Sequence, residues 1–259
     1  MITIKSDREI LLMRQVGKLA AKLLREMGTL VREGNTPAML DVACREWCAR
    51  NNAIPATVNY KGFPDSLCVS VNDVVCHGIP STNKRPFQKG DIVNLDVTPI
   101  LNGYHGDTNA TFMVGEVAPK VKSFVETARE AMWAGIQQVK PGNTLGDVGH
   151  AIETLVKGRG YSVVLEYCGH GIGRNFHEDP VVVHVGRPGQ GVPLKAGMTF
   201  TIEPMINMGL AKTKLESDGW TVRTVDGSLS AQFEHTVLVT PTGVEVLTLP
   251  EGETPPFQS

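Results

Sequence analysis

Four carboxylates sit in stretches that are otherwise apolar or β-branched: Asp96 in DIVNLDVTPI, Asp107 in HGDTNATF, Glu203 in TFTIEPMI and Glu234 in QFEHTVLV. A histidine, His170, lies in the glycine-rich CGHGIG. An ionised carboxylate on a packed apolar strand is costly unless a partner neutralises it. Basic neighbours would be the simplest partners, but none of the four segments carries a Lys or Arg beside its acid. The four acids must therefore share one. Four oxygen donors and one imidazole suit one or two divalent first-row cations better than a thiolate-type zinc site.

Local geometry supports convergence of the first pair. Asn102-Gly103 between two extended runs reads as a two-residue hairpin turn, which sets Thr98 opposite Asp107. Asp96, two residues from Thr98, then points to the same face as Asp107 and is its diagonal neighbour, so one metal pair could bridge both acids. Asp226-Gly227 predicts a second hairpin, with Gly219 across from Glu234 and Trp220 close to the cluster.

The remaining histidines have plain readings beside the chemical ones. His77, beside Gly78-Ile79-Pro80, reads equally as a turn-stabilising residue, and the seven-residue spacing of His170 and His177 does not by itself make either a ligand. His105, His150, His184 and His235 read as structural or surface residues, with His235 on the strand face opposite Glu234. Gly169, Gly171 and Gly173 spell G-x-G-x-G, not the dinucleotide pattern, so a phosphate cradle is not expected. The five cysteines (44, 48, 68, 76 and 168) are odd in number and form no CxxC, which reads as reduced thiols, with Cys44 and Cys48 a buried helical pair.

The elements that must position these residues come in two rounds. Ser6 and Glu9 form a capping box before Ile10, Met13, Val16, Leu19, Leu23 and Met27, which recur at helical spacing and predict a helix to about Leu30. Thr36-Pro37 starts a second helix, with Thr as cap and Pro at the first helical position. Strands follow from about Thr57 to Thr111. After Pro119 the order recurs: a helix to about Val139, the Pro141-Gly142-Asn143 turn, a helix from about Leu145 to Lys157, then strands to about Leu249. The tail GETPPFQS is expected to be loose. The recurrence has a counterpart in the residues themselves: Gly34-Asn35-Thr36 matches Gly142-Asn143-Thr144, VVCHGIP from Val74 matches VVHVGRP from Val182, and KGDIVNLDV aligns with AGMTFTIEP so that Asp96 falls on Glu203. The three matches come in order and at nearly one offset, which points to a duplicated unit, roughly 6–115 and 116–249, within a single catalytic domain of residues 1–259. The simplest arrangement is α+β, with helices outside a curved, largely antiparallel sheet and the ligands on its concave face.

Composition sets the class. With 41% hydrophobic residues in 259 there is ample material for one core. A net charge of −2 argues against a nucleic-acid binder that relies on a basic face. MITIKSDREI lacks the apolar core of a signal peptide, and no run of about 18 apolar residues exists for a membrane span. A cytoplasmic protein is the default expectation.

SVNDVVCHGIP, GDIVNLDVTPILNGYHGDTNATF, GHGIGRNFHEDP, FTIEPMIN and DGWTVRTVDGSLSAQFEHT together resemble the type I methionine aminopeptidases. The resemblance runs from SDREI to LSAQFEHT and implies the pita-bread fold, in which two pseudo-symmetric halves surround a dinuclear metal site. The N-terminal zinc-binding extension of some members is expected to be absent. Carried over by position, the resemblance makes Asp107 and Glu234 bridging ligands, Asp96 a ligand of one metal, and His170 and Glu203 ligands of the other. Two divalent ions per chain (Co, Mn, Fe or Zn) would make a nucleophile of bound water near neutral pH and polarise the scissile carbonyl, with Glu203 as proton acceptor. His77 and His177 would be non-ligand residues that hydrogen-bond the scissile amide and the developing oxyanion.

The resemblance also points to Tyr60, Phe63, Cys68, Phe176 and Trp220 as the walls of a side-chain pocket, with His77 and His177 at its edge. An unbranched thioether suits such a sulfur- and aromatic-lined slot. The chain departs from the family pattern at Thr57, where a cysteine is common, at Lys61, where a histidine is common, and at Phe63, where a tyrosine is common; these changes bear on fine specificity, not on the chemistry. The implied activity is removal of N-terminal methionine from peptides and nascent chains when the second residue is small. The implied partners are those chains and a transient ribosome contact, with no direct nucleic-acid specificity, no membrane, and a monomeric enzyme. Two alternatives share the fold: a proline-specific or creatinase-like hydrolase, which would carry a large extra N-terminal domain, and a non-catalytic binding relative, which would have lost ligands that are all present here.

Overall fold

The computed structural model describes residues 1–258. Each half begins with two helices joined by the same turn. In the first, α1 (Asp7–Gly28) and α2 (Pro37–Arg50) are joined through Gly34 and Asn35; in the second, α3 (Pro119–Ile136) and α4 (Leu145–Gly158) are joined through Gly142 and Asn143. Both turns need a glycine in the left-handed region, with φ 88° at Gly34 and 95° at Gly142. In both, the asparagine amide donates back to the preceding segment, Asn35 Nδ2 to Leu30 O at 2.9 Å and Asn143 Nδ2 to Gln138 O at 2.8 Å. Thr36 and Thr144 cap the second helix of each pair, and the capping box of Ser6 and Glu9 opens α1. α1 and α3 stop two to three residues short of the sequence expectation, where turns take over.

All strand pairings are antiparallel. In the first half Ile92–Val97 lies between Cys68–Val71 and Thr108–Met113; in the second, Thr199–Ile202 lies between Gly169–Gly171 and His235–Val239. The ladders are short, but the two halves are stitched together where Thr108–Met113 meets His235–Val239. Glu234 N donates to Asn109 O at 3.0 Å, Thr236 Oγ1 to Asp107 O at 2.8 Å and Thr108 Oγ1 to Glu234 O at 2.8 Å. Leu40, Trp47, Leu95 and Val97 pack α1 and α2 onto the first half, while Phe124, Ile152, Phe200 and Val237 pack α3 and α4 onto the second. Each such fully buried side chain contributes about 1.5–3 kcal/mol relative to exposure. This is the pita-bread fold, with the helices on the outer face.

The Asn102-Gly103 hairpin forms as expected, with both residues at positive φ and Leu101 paired with Tyr104. The Asp226-Gly227 hairpin does not. Val222–Thr224 pairs with Thr213–Leu215 and Val74–Cys76, Ser230–Gln232 pairs with Met205–Asn207, and Gly219 does not face Glu234. The Asp226 carboxylate instead accepts from Leu210 N at 2.8 Å and Ser228 Oγ at 2.7 Å, which draws the turn away from a two-strand ladder. The tail is not loose up to the last described residue: Pro255 is buried and Phe257 packs edge-on to Trp133 at 6.1 Å. Ser259 lies outside the described residues. All five cysteines are free, Cys44 and Cys48 in the core of α2. Among the described residues no helix is long and apolar enough to cross a membrane.

Candidate metal centre and active site

The pairing of Val97 with Thr108 and of Asp96 with Asn109 continues the hairpin register, so Thr98 reaches Asp107 and donates to its Oδ1 at 2.7 Å. One half thus supplies Asp96 and Asp107, and the other supplies Glu203 and Glu234 from the equivalent strand ends. Carboxylate oxygens of Asp96, Asp107 and Glu234 lie within 4.8 Å of one another. His170 Nε2 stands 3.5 Å from Asp107 Oδ2 and 3.7 Å from Glu203 Oε1. His170 Nδ1 donates to Gly171 O at 3.0 Å, which leaves the Nε2 lone pair directed by the backbone toward the acids.

The cluster is electrostatically incomplete. Asp96 Oδ1 and Glu234 Oε1 are enclosed with no hydrogen-bond partner. Burial, then the charges of Asp107 and Glu203, holds the Asp96 carboxyl well above the usual carboxylate range, and burial with Asp107 does the same to Glu234. Burial pushes Glu203 up to about 7, against the pull of His170. For His170 burial opposes the charged form, but its contact with Asp107 and the Glu203 charge outweigh it and raise the pKa. Acids forced together at this density, with orphaned oxygens facing one point, have the donor set and the missing positive charge that a divalent cation supplies. The residues fit a metal.

A second layer fixes the ligands, and the sequence reading missed it. Thr201 Oγ1 donates to Glu203 Oε1 at 2.7 Å, Gln232 Nε2 to Glu203 Oε2 at 3.2 Å, and Asn109 Nδ2 to Glu234 Oε2 at 2.8 Å. His184 Nε2 accepts the backbone N–H of Glu203 at 3.1 Å. The available signal was strand alternation, since Thr201 and Gln232 each lie two residues from a candidate ligand and so share its face. Gly169 and Gly171 have a packing reason: a Cβ there would come within 2.5 Å of Thr201 O and 2.0 Å of Asp179 O.

Above the cluster opens a cavity of about 280 Å³. Its lining includes all five metal-site candidates and also Tyr60, Phe63, Cys68, His77, Phe176, His177 and Trp220. Tyr60 rests against Phe176 at 4.9 Å and Phe63 edge-on to Trp220 at 5.2 Å. The Tyr60 hydroxyl lies 2.8 Å from His177 Nδ1. Burial and the nearby His170 hold His177 down at about 3, and burial lowers His77, so both rings are neutral. His77 is held at φ 56°, a strained conformation for a non-glycine residue, with its ring edge-on to Trp220 at 6.0 Å. Tyr167, Cys168 and Met205 complete the wall and were not singled out from the sequence. Thr57 and Lys61 also line the cavity.

The sequence pattern of metallopeptidase family M24 matches residues 11–241. The chain belongs to that family. Within M24 it sides with the methionine aminopeptidases. It is 50% identical over 250 residues to methionine aminopeptidase A of Synechocystis sp., covering 96% of this chain and 98% of the relative. It is 46% identical over 256 residues to the Escherichia coli methionine aminopeptidase, covering 98% and 97%. The crystal structure of the Rickettsia prowazekii methionine aminopeptidase superposes with a TM-score of 0.94 at 50% identity, covering 96% of this chain and 100% of that one. A prolidase from Pyrococcus furiosus superposes with a TM-score of 0.78 at 24% identity and shares the fold. As an M24 metallopeptidase the chain uses divalent metal, and Asp96, Asp107 and Glu234 form a carboxylate cluster able to hold one.

Proposed function

We propose that this M24 chain is a methionine aminopeptidase, a metal-dependent hydrolase that removes an N-terminal methionine when the second residue is small. The observation that supports it most strongly is the joining, in one cavity, of a charge-deficient acid cluster to a slot lined by Phe63, Cys68, Phe176 and Trp220. An unbranched thioether fits a slot of that softness and width.

In this reading two divalent ions would be held by Asp107 and Glu234 between them, one completed by Asp96 and the other by His170 with Glu203; cobalt, manganese, iron and zinc all suit the donors. Bound there, the ions supply Lewis-acid polarisation of the scissile carbonyl and lower the pKa of water. Glu203, its carboxylate oriented by Thr201 and Gln232, accepts the proton of the attacking water. With Tyr60 donating to Nδ1, His177 keeps its proton on Nε2 and donates to the developing oxyanion. His77 hydrogen-bonds the scissile amide. The free α-amine of the peptide is anchored beside the acids, which limits cleavage to the first residue, and the second residue passes close to His77 and His177, which requires it to be small. The two halves act as one catalytic domain. The enzyme works as a cytoplasmic monomer on peptides and on nascent chains, with transient contact to the ribosome.

The test compares Met-Ala-Ser, formyl-Met-Ala-Ser and Met-Lys-Ser under identical metal conditions. Only the first should be cleaved rapidly. Comparable cleavage of the formylated peptide contradicts amine anchoring, and equal rates for Lys and Ala contradict the rim constraint.

A further inference from the structure

Lysine is seldom buried without a partner, yet the Lys5 side chain is only 2% exposed. Its Nζ donates to Glu178 Oε2 at 2.7 Å, and Glu178 Oε1 accepts from Asn175 N at 3.1 Å. Lys5 N is itself tied to Gly197 O at 2.8 Å, so the N-terminal segment is anchored before its side chain turns inward. The lysine fits because residue 173 is a glycine: a Cβ there would lie 2.6 Å from Lys5 Cε, 2.8 Å from Nζ and 3.1 Å from Glu178 Oε1. Gly173 N donates to Asn175 O at 3.2 Å, and Glu178 pairs with Gly171, so both ends of the intervening turn are pinned. That turn carries Phe176 and His177 into the cavity.

We propose that Lys5 is a positioning residue for substrate binding and turnover. Through its buried pair with Glu178 it locks the 173–178 turn and so places Phe176 and His177, although Lys5 does not line the cavity. The role for His177 rests on the function proposed above. The acid ligands Asp96, Asp107, Glu203 and Glu234 stand on other segments, while His170 lies on the strand paired with Glu178–Val182, so the lock acts first on the cavity wall and reaches the metal site only through His170. Breaking a buried pair by removing one partner leaves an uncompensated charge, which loosens the segment that bears it. A misplacement of about 1 Å at reacting groups costs on the order of 10²-fold in rate.

The experiment uses the full chain reconstituted with Mn²⁺, with Lys5→Met, Gly173→Ala and the double variant. Gly173 has no positive φ, so alanine is compatible with the backbone and displaces the lysine without changing any charge. Assayed at a Mn²⁺ concentration shown to saturate each protein, each single variant should lose on the order of 10²-fold in kcat/KM on Met-Ala-Ser, mostly in kcat. Amide hydrogen exchange should accelerate at 173–178 and not in α2 or α3. The double variant should be no worse than the worse single one, because both break one lock. Wild-type exchange at 173–178, wild-type kcat/KM, or losses that multiply in the double variant would overturn the proposal. Should Lys5→Met fail to fold, Gly173→Ala decides by the same two readouts. Exchange needs no substrate, so a failure of the proposed activity, seen as a wild-type chain that does not turn over Met-Ala-Ser, remains separate.

Discussion

The floor and the wall of the cavity are built by different means. The floor is made of strand ends. Asp96, Asp107, Glu203 and Glu234 are set by antiparallel register, and Thr98, Thr201, Gln232 and Asn109 hold individual carboxylate oxygens. The wall is made mostly of turns, with Cys68 and Met205 at strand ends: Tyr60 and Lys61 in a single 3-10 turn with Lys61 at φ 48°, His77 at φ 56°, Phe176 and His177 in the 173–178 turn, Trp220 in a loop capped by Asp218. The floor concentrates negative charge in a low-dielectric place, whereas the wall is mostly aromatic and sulfur-bearing, with two neutral imidazoles and with Lys61 and Glu166 also lining the cavity. On the proposed function, metal binding falls to the strand ends and peptide placement mostly to the loops.

The strongest way to break this division is to remove a floor residue shared by both proposed ions. Asp107→Ala or Glu234→Ala should abolish turnover and weaken uptake of both metals, while His170→Ala should affect mainly one. Full occupancy by metal analysis in Asp107→Ala would defeat the bridging role.

On the wall, His177→Ala and His77→Ala should retain metal and lose on the order of 10²–10⁴ in turnover. Near-normal rates in both would reduce these histidines to packing residues.

A third test sharpens the electrostatic half of the contrast. In the metal-free fold Glu203 sits at about 7 against an ordinary 4.5, so the native state favours its protonated form. That contribution is complete below pH 4.5 and is lost as pH rises through about 7, a change of about 3 kcal/mol. The melting temperature of metal-free Glu203→Gln relative to wild type should therefore climb between pH 4.5 and 8, the difference including the loss of the Glu203 charge beside His170 and the neighbouring acids. A pH-independent difference would show that Glu203 is not strained by burial.

The smallest effects belong to the variable rim. Thr57→Cys, Lys61→His and Phe63→Tyr should each change kcat/KM on Met-Ala-Ser by less than about tenfold, while altering the ranking of second residues, because a small reshaping of the rim is worth about 1 kcal/mol, the low end for a pocket change. A loss comparable to that of His177→Ala would move the residue into the catalytic set.

The same contrast explains what was legible in the sequence. Asp96 and Asp107 could be placed on one face because the Asn102-Gly103 turn fixes a register with period two, and a carboxylate in DIVNLDV has no other partner nearby. The doubled Gly-Asn-Thr signal likewise exposed the two helix pairs, since each glycine is required by its positive φ. The Asp226-Gly227 turn failed by the same logic: a dipeptide signals local bending, but not that the Asp226 carboxylate is taken up by the backbone N–H of Leu210, sixteen residues back in a loop. Tyr167, Cys168 and Met205 gave no periodic signal, and the wall residues that were named came from family resemblance. Lys5 looked like an ordinary polar residue near the chain start, and only the packing reveals its buried pair.

Metal in the floor and cleavage beside the wall should be coupled. The most direct test strips the wild-type chain with a chelator, then titrates Mn²⁺ while metal uptake and Met-Ala-Ser cleavage are followed in the same samples. Cleavage should be absent in the stripped chain and rise in proportion to uptake. Undiminished cleavage by a chain shown to be free of metal would contradict the account.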